Sequence, residues 1–329
     1  MRRLLGALLP GLFLLTAIAL VARLLGRAIP LVTPLILSIG MGAILANTVG
    51  LPAWAERGVG QHSLLLETAI VLLGAGLSLE AISTAGPRLV GLVLAVVAFG
   101  LVLVTALSRL ARLNDRMGTL LAAGSAICGV SAIAAVAPAC EARDTQIAHA
   151  AATILVFDAV TLVAFPAVGS ALGLGPRFYG VWIGLSMFST GPVAAAGFAH
   201  STAAGEWATM TKLARNALIG LVAVWYSVRY TGRATGSGPN VDRMWTDFPK
   251  FLLGFLTLAI LANTGVLSAS LVDSLLATSD VLFLLAFVGL GFEIRVEEMR
   301  NTGLVPSAVV GIYLLAVSAL AYALVAVVL

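Results

Sequence analysis

Four side chains and two runs of small residues are placed where they could do chemistry in this sequence. Asp158 stands in Ile154-Leu155-Val156-Phe157-Asp158-Ala159-Val160-Thr161, about twelve residues into an apolar run. A carboxylate at that depth costs several kcal/mol unless it is protonated, hydrated or paired. It reads as a proton-coupling group, as the partner of a nearby cation, or as a hydrogen-bonded structural group. Lys212 and Arg215 follow in Ala208-Thr209-Met210-Thr211-Lys212-Leu213-Ala214-Arg215-Asn216, at the opening of another apolar run. A spacing of three puts both cations on one helix face. Lys212 can equally snorkel to the interface. Arg215, with Asn216 beside it, is a turn deeper, and an inward guanidinium binds an oxyanion through its planar fork of donors.

The small-residue runs are Gly124-Ser125-Ala126-Ile127-Cys128-Gly129-Val130-Ser131 and Leu185-Ser186-Met187-Phe188-Ser189-Thr190-Gly191-Pro192. Gly129 and Ser131 allow the first to unwind and bare backbone amides, while small residues equally suit an unbroken, tightly packed helix. Pro192 has no N–H and cannot continue a helix without freeing a carbonyl. Ser189, Thr190 and Gly191 therefore read as an unwound turn, with Pro192 at the first position of a new half-helix. Half-helix N-termini carry free N–H groups and a positive dipole end, which suit an anion. The expected anion site is thus Arg215, Lys212, Asn216, Gly129, Ser131, Ser189, Thr190 and Gly191, with Asp158 as the coupling residue.

Other chemistry finds little support. Cys128 and Cys140 make no CxxC pair, and His62, His149 and His200 make no HExxH pattern. Lys212 and Lys250 are followed by Leu and Phe, so neither completes a phosphate-binding loop. There is no GxSG serine with a helix-borne histidine and no pair of intramembrane aspartates. No catalytic residue, metal or cofactor is expected. The net charge of +4 is scattered over loops, so a nucleic-acid partner is not expected either.

The elements that must hold these residues are apolar throughout. Charged residues are 10% of the chain against 60% hydrophobic, where a soluble domain carries about 25% charged. Eleven candidate spans lie near 4–25, 31–50, 63–79, 88–108, 117–139, 146–171, 178–200, 207–228, 249–265, 279–293 and 304–329. The fold class expected is an all-α polytopic membrane protein, residues 1–329 forming one integral membrane domain. Residues 1–29 make an extra N-terminal helix, read as uncleaved because its apolar run outlasts a signal peptide. Residues 30–172 and 173–329 are the two halves, and 229–250 is a polar loop. With the N-terminus in the cytoplasm, thirteen of the nineteen Lys and Arg fall inside, five outside, and Arg215 within a helix. The positive-inside rule then makes the 229–250 loop cytoplasmic, and the expected location is the inner (plasma) membrane.

Ala43-Ile44-Leu45-Ala46-Asn47-Thr48 recurs identically as Ala259-Ile260-Leu261-Ala262-Asn263-Thr264. Gly74-x-Gly76-Leu77-x-Leu79-Glu80 is echoed by Gly289-x-Gly291-Phe292-Glu293. The helices concerned are seven apart and so run oppositely, which is the signature of an inverted repeat; chance in an Ala- and Leu-rich chain is the alternative. Segments 117–139 and 178–200 run the same way in this count and cannot be inverted partners. A five-plus-five arrangement would pair 117–139 with 279–293.

Gly124-x-Ala126-Ile127-Cys128-Gly129-x-Ser131-Ala132-Ile133-Ala134-Ala135 resembles the signature of the YeiH-type conserved membrane family, named for sulfate export. Leu73-Gly74-x-Gly76-Leu77-x-Leu79, Gly180-x-Trp182-x-Gly184, Ala208-Thr209-x-x-Lys212-Leu213-x-Arg215 and Phe248-Pro249-Lys250-Phe251 agree in order and spacing. The resemblance runs from about Pro30 to near the end. It implies a secondary transporter with an inverted repeat and crossed, discontinuous helices, similar to bile-acid-symporter and cation/proton-antiporter folds. One departure matters. The family shows an Ile-His-acid stretch and a Gln after Gly184, where this chain has Met187-Phe188-Ser189-Thr190-Gly191-Pro192. Asp158 stands where a small or neutral residue is expected and is a candidate replacement for the lost acid.

The expected function is secondary transport of a small anion, outward, coupled to protons or to the membrane potential. A passive anion channel is the nearest alternative and an intramembrane enzyme the more distant one. The expected partners are a small anionic solute and the lipid bilayer, and a homodimer is among the assemblies open to such a chain.

Overall fold

The computed structural model describes residues 2–28, 34–76, 79–231, 250–295, 297 and 303–329. Among these the chain is helical and forms no strand. Six helices are long and apolar enough to cross a bilayer: Leu8–Gly26, Glu56–Gly76, Gly86–Leu110, Thr145–Ala171, Ala269–Glu293 and Leu304–Val328. Water-free surroundings require every backbone N–H and C=O to be paired internally, which explains both the helicity and the scarcity of charge. Most of the polar loop expected at 229–250 lies outside the described residues.

The chain divides into two compact units, Met1–Thr84 with Lys250–Val296, and Ala85–Pro249 with Glu297–Leu329. Each takes helices from both sequence halves.

The first unit holds α1 (Arg2–Ala28), α2 (Pro34–Thr48), the short α3 (Glu56–Val59) and α4 (His62–Leu73). It also holds α13 (Lys250–Asn263) and α14 (Ala269–Glu293). Its helices cross closely through glycine. A Cβ on Gly42 of α2 would stand 3.0 Å from Gly291 Cα of α14, and Gly11 of α1 faces Gly58 of α3 just as tightly. Leu15, Ile18, Val59, Val288 and Phe292 fill the space between. His62 Nε2 lies 3.2 Å from Glu293 Oε1.

The second unit holds α5 (Leu79–Leu110) from residue 85 onward, α6 (Asp115–Ala123), α7 (Val130–Val136) and α8 (Asp144–Ala171). It continues with α9 (Pro176–Ser186), α10 (Thr190–His200), α11 (Thr202–Asn216), α12 (Ile219–Thr231) and α15 (Leu304–Val328). One large apolar core joins these helices, built from residues such as Leu120, Ile127, Ile154, Tyr179, Phe188 and Tyr313.

Two of the expected spans turn back on themselves instead of crossing. In the segment near 178–200, Tyr179 at the start of α9 stacks on His200 at the end of α10, with ring centroids 4.3 Å apart. Tyr179 Oη also donates to Ala196 O at 3.4 Å. Gly180 and Gly184 of α9 face Ala204 and Thr211 of α11 in the same order, whereas Gly197 of α10 faces Gly205 of α11. So α9 runs parallel to α11, and α10 returns antiparallel to it. Each arm has 11 residues, or about 16 Å, half of a hydrocarbon core of about 30 Å.

The segment near 117–139 does the same. A Cβ on Gly124 would meet the Ile133 side chain at 2.9 Å, and Arg116 pairs with Glu141 across its base at 3.5 Å. An unbroken helix would put residues 116 and 141 nearly 40 Å apart, at about 1.5 Å per residue. The turn is made at Gly129, with φ 72° and ψ −133°, a conformation essentially restricted to glycine. The two breaks expected from sequence are present, but each reverses the chain. The 28-residue α8, about 42 Å long, connects the end of the first hairpin to the start of the second. The hairpins therefore enter from opposite ends of the unit and meet at their tips.

Candidate functional site

The tips meet closely. Gly129 at the turn of the first hairpin lies directly against the Ser189 hydroxyl of the second, leaving no room for a Cβ. Four half-helix ends converge there. The π-helical turn Gly124–Cys128 that continues α6, and α9, arrive with their carbonyl ends. Helices α7 and α10 depart with their N–H ends.

Helix α11 supplies the cations. It runs from Thr202 to Asn216, so Lys212 and Arg215 lie toward its C-terminal end, Arg215 in the last turn, and not at its opening; both are 0% exposed. Arg215 Nη1 donates to the carbonyls of Gly184 at 3.0 Å, Leu185 at 2.7 Å and Met187 at 2.9 Å. Its Nη2 donates to Ser125 O at 3.2 Å and Ala126 O at 2.8 Å. Lys212 Nζ donates to Ile127 O at 2.7 Å and Met187 O at 3.1 Å. Every one of these acceptors lies in the last turn of a half-helix or, for Met187, is the C-cap that follows it. Orphan carbonyls at a helix C-terminus carry about half a negative charge, so two buried cations sit where two such ends converge. Lys212 does not snorkel; its ammonium is spent inside the unit.

The departing ends are polar in a different way. Asp158 of α8 is 3% exposed, and its Oδ1 accepts the Ser189 N–H at 3.0 Å. Asn216 Nδ2 donates to Thr190 Oγ1, the first residue of α10, at 3.0 Å. Neither α7 nor α10 has a side-chain cap on its first turn. Pro192 is the third residue of α10, not its first, and still falls in the turn that needs no N–H from it. Ser189 and Thr190 are half-buried, Gly191 is buried, and Ser131 is exposed on the first turn of α7.

Thus Arg215, Lys212, Asn216, Gly129, Ser189, Thr190 and Asp158 meet in one place. Ser131 lies at its margin, with its side chain outside this network. The arrangement presents backbone donors from α10 next to a carboxylate, with the cations behind them tied to carbonyls. Around it, Ser125 Oγ, Thr209 Oγ1, Thr211 Oγ1, Arg215 Nε, Asn216 Oδ1 and Tyr313 Oη are buried without a hydrogen-bond partner. Tyr313 of α15, near the Arg215 guanidinium, carries no sequence signal that would single it out. Nor do the carbonyls of Ser125, Ala126, Ile127 and Gly184, because backbone acceptors have no side-chain signature. Cys128 and Cys140 are free and buried, in keeping with packing residues. No group of three or more His, Cys, Asp or Glu able to hold a metal occurs among the described residues.

Comparison with known proteins places this chain in a family. Residues 10–310 match the family described as "Conserved hypothetical protein 698". A UPF0324 membrane protein of Nitratidesulfovibrio vulgaris is 33% identical over 312 residues, covering 90% of this chain and 86% of the relative. One from Agrobacterium fabrum is 32% identical, covering 92% and 88%. One from Bacillus cereus is 29% identical, covering 89% and 84%. No solved structure matches. The chain belongs to the UPF0324 family, the YeiH-type family, and is a membrane protein.

Proposed function

We propose that this member of the UPF0324 family is a secondary transporter of a small anion and not an enzyme. The observation that carries the reading is the polarity sorting at the hairpin tips. Both carbonyl ends are neutralised by Arg215 and Lys212, while the amide end of α10, framed by Ser189, Thr190, Gly191 and Asn216, has no side-chain cap. An anion entering an apolar bundle must replace its hydration shell, and unsatisfied amides at a helix N-terminus offer that replacement. Gly129 forms the opposite wall, with Ser131 at its margin. Arg215 holds the site's shape and contributes its charge through the backbone it clamps. Sulfate and sulfonates are the first candidates by resemblance.

In this reading nine segments cross the membrane and two hairpins enter it, one from each face, with the N-terminus in the cytoplasm and the C-terminus outside. Reversing two segments moves Arg143 inside and Arg177 outside. The Lys and Arg then divide thirteen to four, with Lys212 and Arg215 in the interior, which the positive-inside rule favours. The hairpins, entering oppositely, have the relative orientation that inverted partners need, although they are two segments apart and not seven like the hexapeptide helices. The recurrent hexapeptides behave alike: Asn47 Nδ2 donates to Ala43 O at 2.7 Å and Asn263 Nδ2 to Ala259 O at 2.8 Å. A fold of two inverted repeats with its site where half-helices meet is typical of secondary transporters.

The test is a thermal-shift screen of purified protein against sulfate, sulfite, thiosulfate, taurine and small carboxylates, followed by flux in proteoliposomes. A ligand that binds only the folded state raises its melting temperature. Saturable flux of a stabilising anion supports a transporter, and non-saturating flux supports the channel alternative. Absence of stabilisation by any of these anions refutes the anion site.

A further inference from the structure

Asp158 already occupies part of the amide end that an anion would need. Its Oδ1 accepts the N–H of Ser189, the residue just before α10, at 3.0 Å. A carboxylate is itself an oxyanion, and here it is delivered to a helix N-terminus by the protein's own α8. A second observation marks the same spot as built for a ligand. Asn216 is 3% exposed, bonds through Nδ2 to Thr190 Oγ1, and has its Oδ1 buried without a partner. Amide oxygen and nitrogen are close to isosteric. With the amide rotated, the Thr190 hydroxyl donates to Oδ1, and Nδ2 becomes a free donor beside the first turn of α10.

Charge sharpens the point. Lys212 and Arg215 contribute two positive charges, while the dipole charges of the four half-helix ends, two carbonyl and two amide, about cancel. Ionised Asp158 brings the sum to about one positive charge. Protonated Asp158 leaves about two and weakens its hold on the Ser189 N–H. The other titratable groups facing this point are Lys212 and Arg215 from α11, Cys128 from the first hairpin and Tyr313 from α15; α9 and α10 bring none to the tip.

We propose that the Asp158 carboxylate is an internal surrogate for the transported anion, and that its protonation vacates the α10 N-terminus so that one proton and the anion bind the same state. The inference rests on the anion site above and adds its coupling. The proton moves from solvent to Asp158 as the anion takes over the amide donors, and both leave together on release. Proton and anion then travel in the same direction. An inward proton gradient would draw the anion inward, opposite to the export that the family resemblance implies.

The experiment measures dissociation constants of sulfate, thiosulfate and taurine for full-length purified protein by thermal shift, at several values between about pH 5 and pH 8, in wild type and Asp158→Asn. One linked proton per anion makes wild-type affinity rise about tenfold for each pH unit lowered while Asp158 is ionised in the free protein. Asp158→Asn should bind independently of pH, at high pH as tightly as wild type does at low pH. Uptake of one proton per anion by the wild type in weakly buffered solution is a second readout that needs no variant to fold. Wild-type affinity that does not change with pH, or a pH dependence unaltered in Asp158→Asn, overturns the coupling and leaves the anion site standing. Loss of binding at every pH in a folded Asp158→Asn also overturns it, since Asp158 would then be a ligand contact. If no anion stabilises the wild type at any pH, the anion site falls and takes this inference with it.

Discussion

His200, the last residue of α10, lies flat on Tyr179, the fourth residue of α9, with ring centroids 4.3 Å apart and planes 18° from parallel. The chain has gone in and come back between them. That return converts a 25-residue apolar stretch from a membrane span into a hairpin whose tip, at Met187–Ser189, is its most interior part. Tyr179 and His200 therefore mark the hairpin's base, and the chemistry sits at the other end.

The hairpin makes a topological prediction. With Cys128 and Cys140 replaced by alanine, single cysteines at Gly173 and Ala203 should react with an impermeant thiol reagent from the same face, the outside. Cysteines at Arg112 and Glu141 should react only from the cytoplasm, as should one at Ser237 in the polar loop. Labelling of Gly173 and Ala203 from opposite faces would restore a membrane-spanning segment.

Removing the Arg215 guanidinium strips donors from five carbonyls on two hairpins at once. Breaking a buried charged network of this kind costs about 3–5 kcal/mol. Arg215→Gln should therefore lose folded protein, seen as a drop in melting temperature and in monodisperse yield. Arg215→Lys keeps the charge but cannot reach both tips, and should fall between. Normal stability in both variants, with binding alone impaired, would show that the guanidinium serves the ligand and not the fold.

Gly129→Ala should destabilise for two separable reasons. Its φ of 72° with ψ of −133° is strained for any other residue by about 1–3 kcal/mol. The new Cβ would also collide with the Ser189 hydroxyl. Adding Ser189→Gly should recover the collision part only. Full recovery in the double variant would mean that the backbone conformation at Gly129 carries no cost.

Coupling can be read in flux as well as in binding. In proteoliposomes, Asp158→Asn should lose anion accumulation driven by a pH gradient while keeping anion–anion exchange, which needs no net proton movement. Accumulation that survives the substitution would reduce Asp158 to a structural group holding Ser189.

Composition alone determined that this is a helical membrane protein, because a bilayer penalises unpaired backbone and buried charge whatever the fold. The interruption before Pro192 was also legible, since proline acts locally, whereas the glycine at 129 suited a break and a close-packed helix equally. So was the candidacy of Asp158, Lys212, Arg215 and Asn216, polar side chains in apolar surroundings. Hydropathy, however, records how dry a residue is and not which way the chain is travelling. A hairpin with two 11-residue arms reads like a span of the same length, and only contacts such as Gly180 with Ala204 and Tyr179 with His200 separate them. The same limit applies to Arg215. Its sequence neighbours showed that it was buried, but only the tertiary fold brought the carbonyl ends of two hairpins to its guanidinium, which are backbone groups that no residue type announces.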